Sequence, residues 1–256
     1  MKRSALVFLL LLLVSLLSAA PIPFAVVAGN QAVATSTLWE PIIEELRRST
    51  GLDLQLEIVR SHDELVSGFY DRLFPVAVSE WYWANQLIND GIGYPITQIA
   101  IYGTTYIHSI LIVRHDSVIR SLEGLDGTRT ALIEPLIYYE GNTLPRMVVD
   151  ERGIQPDYVV TDTAESVIKG VAYGALPAGF IPDYRLDDPS LEPWSDQLRI
   201  VYESPPIPSP LVIVHRDIDR NAASALQQAL PAITVTGISF IVPDKDHEVP
   251  VSFPAE

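Results

Sequence analysis

After Phe24 the chain alternates short apolar runs with amphipathic stretches, a rhythm that admits little besides a layered α/β architecture. "FAVVA" and "PVAVS" read as buried strands, and "LDLQLEIV" alternates as a half-buried strand does. "TSTLWEPIIEELRRSTG" reads as a helix with Ile42, Ile43 and Leu46 on one face, residues 35–37 as caps and Gly51 as its stop. Further helices are predicted over "HDELVSGFYDRL", "EWYWANQLIND", "TLPRMVVDERG", "AESVIKGVAYG" and "DRNAASALQQAL". "ITQIAIYGTTYIHSILIVRHDS" reads as two strands broken at Gly103, and residues 182–196 as a polar loop. In "SPPIPSP", residues 204–210, each proline ring fixes φ and removes a donor, giving a stiff extended connection. With the break at Gly103 it supplies two crossings between lobes. Residues 21–104 with 205–256 are expected to form one lobe and residues 105–204 the other.

Ahead of that rhythm stands "MKRSALVFLLLLLVSLLSAAPIP", with Lys2 and Arg3, then an apolar run, then small residues. This is the pattern of a secretory signal over residues 1–20. The run falls short of the roughly 18 to 20 apolar residues a bilayer span needs, which weighs against a retained anchor. The chain has no cysteine, so disulfides, thiolate metal sites, a cysteine nucleophile and a lipid-bearing cysteine are all ruled out. A free periplasmic protein is expected. Loss of Lys2 and Arg3 with the signal takes the formal charge from −15 to −17. So acidic a chain does not suit nucleic acid, whose phosphates demand a basic surface.

The sequence carries no G-x-S-x-G, H-E-x-x-H, phosphate-loop or G-x-G-x-x-G motif, and no enzymatic activity is expected. Its five histidines, His62, His108, His115, His215 and His247, are scattered without a ligand spacing, so neither a metal nor a cofactor is expected.

Five stretches carry a resemblance when taken in order: "LWEPIIEELRRSTGLDL", "YIHSILIVRHDSVIRSLEGLDGTRTAL", "VIKGVAYGALPAG", "ESPPIPSPLVIVHRDI" and "GISFIVPDKDHEVP". Together they resemble the type 2 periplasmic solute-binding proteins of ABC importers, in the branch that binds phosphate, phosphite and phosphonates. The resemblance implies two α/β lobes, each a mixed sheet flanked by helices. Two crossing strands form the hinge, and ligand sits in the cleft. Strand ends and helix N-termini face such a cleft, where free N–H groups favour a negative group.

The family's anion site reads Asp-Pro-x-Ser-x-Ser-Gly-x-x-x-Pro. Here Glu134-Pro135 and residues 141–145 match its ends, while Leu136, Ile137, Tyr138, Tyr139 and Glu140 replace the hydroxyl cluster. A family histidine at a helix start falls near Ala164. A carboxylate close to a phosphoryl group costs several kcal/mol in a partly dry cleft. Other positions implied by the resemblance are His62, Glu80, Trp81, Tyr82, Tyr106, His108 and Asp183, with Trp83 beside them. Trp81, Tyr82 and Trp83 are consecutive on a helix, so no more than two of them can face one pocket. Each aromatic residue reads either as a ligand contact or as packing between lobes, and Glu140 either as a ligand partner or as a carboxylate at a helix N-terminus.

The expectation is therefore a monomeric solute-binding protein that closes on a small molecule other than simple phosphate and delivers it to an ABC permease. Two alternatives stand beside it: a ligand-sensing module that signals to a membrane sensor kinase, and a phosphate or phosphonate binder despite the lost hydroxyls.

Overall fold

The computed structural model describes residues 20–133, 139–235 and 237–243, so residues 1–19 of the signal segment and Tyr138 lie outside the described residues. The first part of the chain builds β1 (Ile22–Val27), α1 (Ala32–Thr50), β2 (Leu54–Val59), α2 (His62–Tyr70), β3 (Val76–Ser79), α3 (Trp81–Asn89) and β4 (Gly93–Ile101). A short β5 (Tyr106–Ile107) leads into β6 (Ser109–Arg114), β7 (Arg129–Ile133), α4 (Leu144–Glu151), β8 (Asp157–Thr161), α5 (Ala164–Ala172), β9 (Ala178–Pro182), α6 (Glu192–Ser195) and β10 (Leu198–Glu203). The chain returns through β11 (Ile207–Pro208) to β12 (Leu211–His215), α7 (Arg220–Ala229), β13 (Thr234–Val235) and β14 (Ile238–Ile241).

Two large sheets result, and the fold is two-lobed. One sheet runs β13-β14-β4-β12-β3-β1-β2 and the other β10-β6-β9-β7-β8. β1, β2 and β3 are parallel neighbours, as strands joined by helical crossovers must be, whereas β12 enters antiparallel between β3 and β4. The connection between the sheets is the antiparallel pair of β5 and β11, which matches Ile207 with Ile107 and Pro208 with Tyr106.

Each sheet is covered on both faces because its strands alternate apolar side chains to either side. Phe24 and Val26 of β1 join Ile42, Ile43 and Leu46 of α1 and Leu226 of α7. Ala25, between them, joins Leu65 and Phe69 of α2 and Leu87 of α3 on the opposite face. In the second sheet Ala131 and Ile133 face Val167 and Ile168 of α5, while Leu132 faces Val149 of α4.

Some local expectations are corrected. α1 starts three residues earlier than predicted, with Gln31 at its N-cap and no side-chain cap, so residues 35–37 lie inside it. Thr37 Oγ1 donates to the Val33 carbonyl one turn back, a bond open to threonine within a helix as well as at its start. Gly51 does end that helix, at φ 70°, where a residue without Cβ is unstrained. The stretch 182–196 is no plain loop: it holds a 3-10 turn over Asp183–Asp187 and α6.

Candidate functional site

β3 ends at Ser79 and α3 begins at Trp81, so Glu80 occupies the turn between them and points away from its own sheet toward the other lobe. Its Oε2 accepts the backbone N–H of Tyr139 at 3.0 Å. Tyr139 opens a π-helical turn, Tyr139–Thr143, that follows β7 and runs into α4. This wide turn puts Glu140 under cover as well as Tyr139. Gly141 is needed there because a Cβ would come within 2.6 Å of the Ile133 side chain. Asn142 Nδ2 donates to the Ile133 carbonyl at 2.5 Å and its Oδ1 accepts from Arg146 Nε at 3.0 Å, which ties the turn to the end of β7.

Glu80, Trp81, Tyr82, Tyr139 and Glu140 meet around a cleft of ≈ 200 Å³, counting its open mouth, with Ile207, Pro208 and Pro210 as the remaining wall. Tyr82 and Tyr139 stack across it, ring centroids 5.2 Å apart and planes within 12°. Trp81 both borders the cleft and packs into the apolar layer of Leu65, Phe69 and Leu87. Trp83 stands behind, edge-on to Tyr139 at 6.3 Å and stacked flat on the His62 ring at 3.7 Å.

The electrostatics of the cleft are set by burial. Glu140 is 5% exposed and its Oε2 has no hydrogen-bond partner. Burial above all, with the nearby Asp183 charge adding to it, pushes its carboxyl up to about 7, against the pull of a backbone hydrogen bond. Burial, then the charge of Glu140, also raises Glu80 well above the ordinary carboxyl range, partly offset by the Tyr139 N–H. The Tyr139 hydroxyl is pushed up to about 12 by burial and by the neighbouring Tyr82, Glu140 and Glu80. His62 Nε2 lies 3.9 Å from Glu80 Oε1.

Three further expected contact residues lie at the crossing beside the cleft. Tyr106, on β5, pairs with Pro208 of the cleft wall, and His108 and Asp183 fasten the crossing between lobes, with the Asp183 charge close enough to act on Glu140. The His108 N–H donates to Asp183 Oδ1 at 3.0 Å, the Asp183 N–H returns to the His108 carbonyl at 2.9 Å, and His108 Nδ1 lies 2.8 Å from the Ser204 carbonyl. Their polar groups are engaged in holding strands. The His62 ring is covered by Trp83, and its Nε2 faces Glu80 Oε1 of the cleft. Sequence reasoning missed Ile207, Pro208 and Pro210 as cleft wall. The signal for them was the proline-rich crossing itself, since a strand between lobes necessarily passes the cleft between them.

A binding-protein component of an ABC phosphonate transporter from Pseudomonas aeruginosa is similar in fold, with TM-score 0.70 and 17% identity over 88% of this chain and 82% of that one. PhnD1 from Prochlorococcus marinus, solved in complex with methylphosphonate, matches with TM-score 0.69 and 12% identity over 88% and 93%. A histidine kinase sensor domain with similarity to periplasmic binding proteins is a weaker match, at TM-score 0.50 and 14% identity over 82% and 88%. No curated protein sequence matches. Among the described residues, no helix is long and apolar enough to cross a membrane. The family model described as "ABC transporter, phosphonate, periplasmic substrate-binding protein" matches residues 24–249, and the chain belongs to that family of periplasmic solute-binding proteins.

Proposed function

We propose that this protein binds a small organic solute in the cleft between its lobes, residues 21–104 with 205–256 on one side and 105–204 on the other, and hands it to an ABC permease. The cleft refuses bare oxyanions. The observation that carries this reading is the pair of covered carboxyls, Glu80 from one lobe and Glu140 from the other, where a phosphonate binder needs donors. The aromatic walls from Tyr82 and Tyr139 suit an organic body, each contact contributing roughly 0.5 to 2 kcal/mol. A sensor-kinase partner, the alternative raised by the sequence, has the weaker structural likeness behind it. Residues 1–20 act as the export signal in this reading.

Thermal melting of the mature protein against a panel of phosphate, methylphosphonate, quaternary amines and aromatic acids tests the proposal. An organic solute at about 100 times its Kd adds roughly 2.7 kcal/mol to stability and raises Tm accordingly. A melt raised by phosphate or methylphosphonate alone overturns the reading.

A further inference from the structure

The cleft has an unmet electrostatic demand. Glu140 Oε2 is buried there without a hydrogen-bond partner, in a residue only 5% exposed. Buried carboxyl oxygens are ordinarily paired, because an unpaired one forfeits the hydration it had in the unfolded chain. The wall around it is acidic, aromatic and proline-rich, and among the described residues no Lys or Arg lines it. Opposite lies Glu80, with one oxygen accepting the Tyr139 N–H and the other 3.9 Å from His62 Nε2. The remaining charged or titratable groups that act on the pair are Asp183 on Glu140 and the hydroxyls of Tyr82 and Tyr139.

We infer that the solute is a small alkylammonium cation, its charge held between Glu80 and Glu140 and its alkyl groups against the rings of Tyr82 and Tyr139. This rests on the solute-binding reading above and names its class. Separation of the lobes parts the Tyr82–Tyr139 stack and offers each π face to a cation, the arrangement by which aromatic side chains hold quaternary ammonium groups. The acidic chain, −15 in full and −17 without Lys2 and Arg3, draws cations toward it before contact. Arrival of a fixed positive charge expels the proton that the two carboxyls hold near neutral pH, so one proton leaves as the cation binds.

Isothermal titration of the purified exported protein tests this with tetramethylammonium, choline, the neutral carbon isostere of choline (dimethylbutanol) and methylphosphonate. Each is run at neutral pH in two buffers of different ionisation enthalpy. The expected result is binding of the two cations, at least tenfold weaker for the neutral isostere, with proton release read from the buffer difference. Glu140→Gln, and separately Tyr82→Ala at a more exposed position, weaken the cations at least tenfold while leaving the circular dichroism unchanged. Equal binding of choline and its neutral isostere overturns the cation class and leaves the organic-solute reading standing. Binding of methylphosphonate alone overturns both, and binding of none of the four overturns the cation class while the organic-solute reading stands on its own panel.

Discussion

At the scale of single residues, Glu140 is where stability and pH meet. Its folded carboxyl titrates at about 7 against 4.5 in the unfolded chain, so the folded state holds its proton after the unfolded state has lost it. Stability from this group is therefore fully present below pH 4.5 and declines as pH rises, the loss being complete above about 7. Glu140→Gln removes the titration. Urea unfolding should show the variant gaining on the parent between pH 5 and pH 8 by on the order of 2 kcal/mol, after any constant cost of the new amide is subtracted. A parent–variant difference that is the same at both pH values would falsify the assignment. Glu140 was legible as a displaced donor in the sequence, because a carboxylate stood where the family pattern has hydroxyls. Its burial was not legible, since that depends on a π turn whose spacing differs from the helical 3.6 by which sequence patterns are read.

The crossing pair β5–β11 shows at the scale of elements how side chains take over where the ladder is short. Two residues on each strand cannot hold lobes together unaided. Ser209, fully buried, donates its Oγ to the Ile99 carbonyl at 2.5 Å and its N–H to the Thr105 carbonyl at 2.9 Å. Ser204 Oγ accepts the Ser109 N–H at 2.9 Å and donates to the Pro205 carbonyl at 2.8 Å. Proline removes donors along this connection, and the serines on either side restore hydrogen bonding. Ser209→Ala leaves the Ile99 carbonyl without this donor and should destabilise the protein by about 1 to 3 kcal/mol in urea titration, whereas Ser224→Ala, at an exposed position of α7, should change it by less than about 0.5 kcal/mol. Indistinguishable midpoints for the two variants would remove the serine from this role. The crossing was readable because Gly103 and the proline run are local signals. The displaced start of α1 was not, because helix propensity over residues 32–37 gives no sharp boundary and packing of Trp39, Ile42 and Ile43 decides the register. His108 and Asp183 were placed in the cleft by analogy, and their distant pairing across 75 positions left no sequence trace.

At the scale of the whole molecule, contacts between the two lobes among the described residues include some at the candidate cleft. Glu80 Oε2 takes the Tyr139 N–H, Tyr82 stacks on Tyr139, and Gln31 Nε2 reaches the Asp162 carbonyl at 3.3 Å. In the proposed reading, hinge motion about β5 and β11 opens and closes these contacts, each contributing on the order of 1 kcal/mol, and a solute binds in competition with them. Such a balance lets a ligand shift the populations only by the difference in its affinity for the two arrangements. Tyr139→Ala removes the stack and loosens the turn that presents its N–H, so the unliganded variant should open. The absence of cysteine makes this measurable without background, because thiols introduced at exposed Val33 on α1 and exposed Tyr173 just beyond α5 are the only ones present. With spin labels at both, the Tyr139→Ala protein should show a longer and broader distance distribution than the parent, and bound solute should shorten and narrow the distribution in the parent. Superimposable distributions for parent and variant would mean that the lobes are held by something other than the cleft contacts, and the link between the aromatic pair and closure would fall.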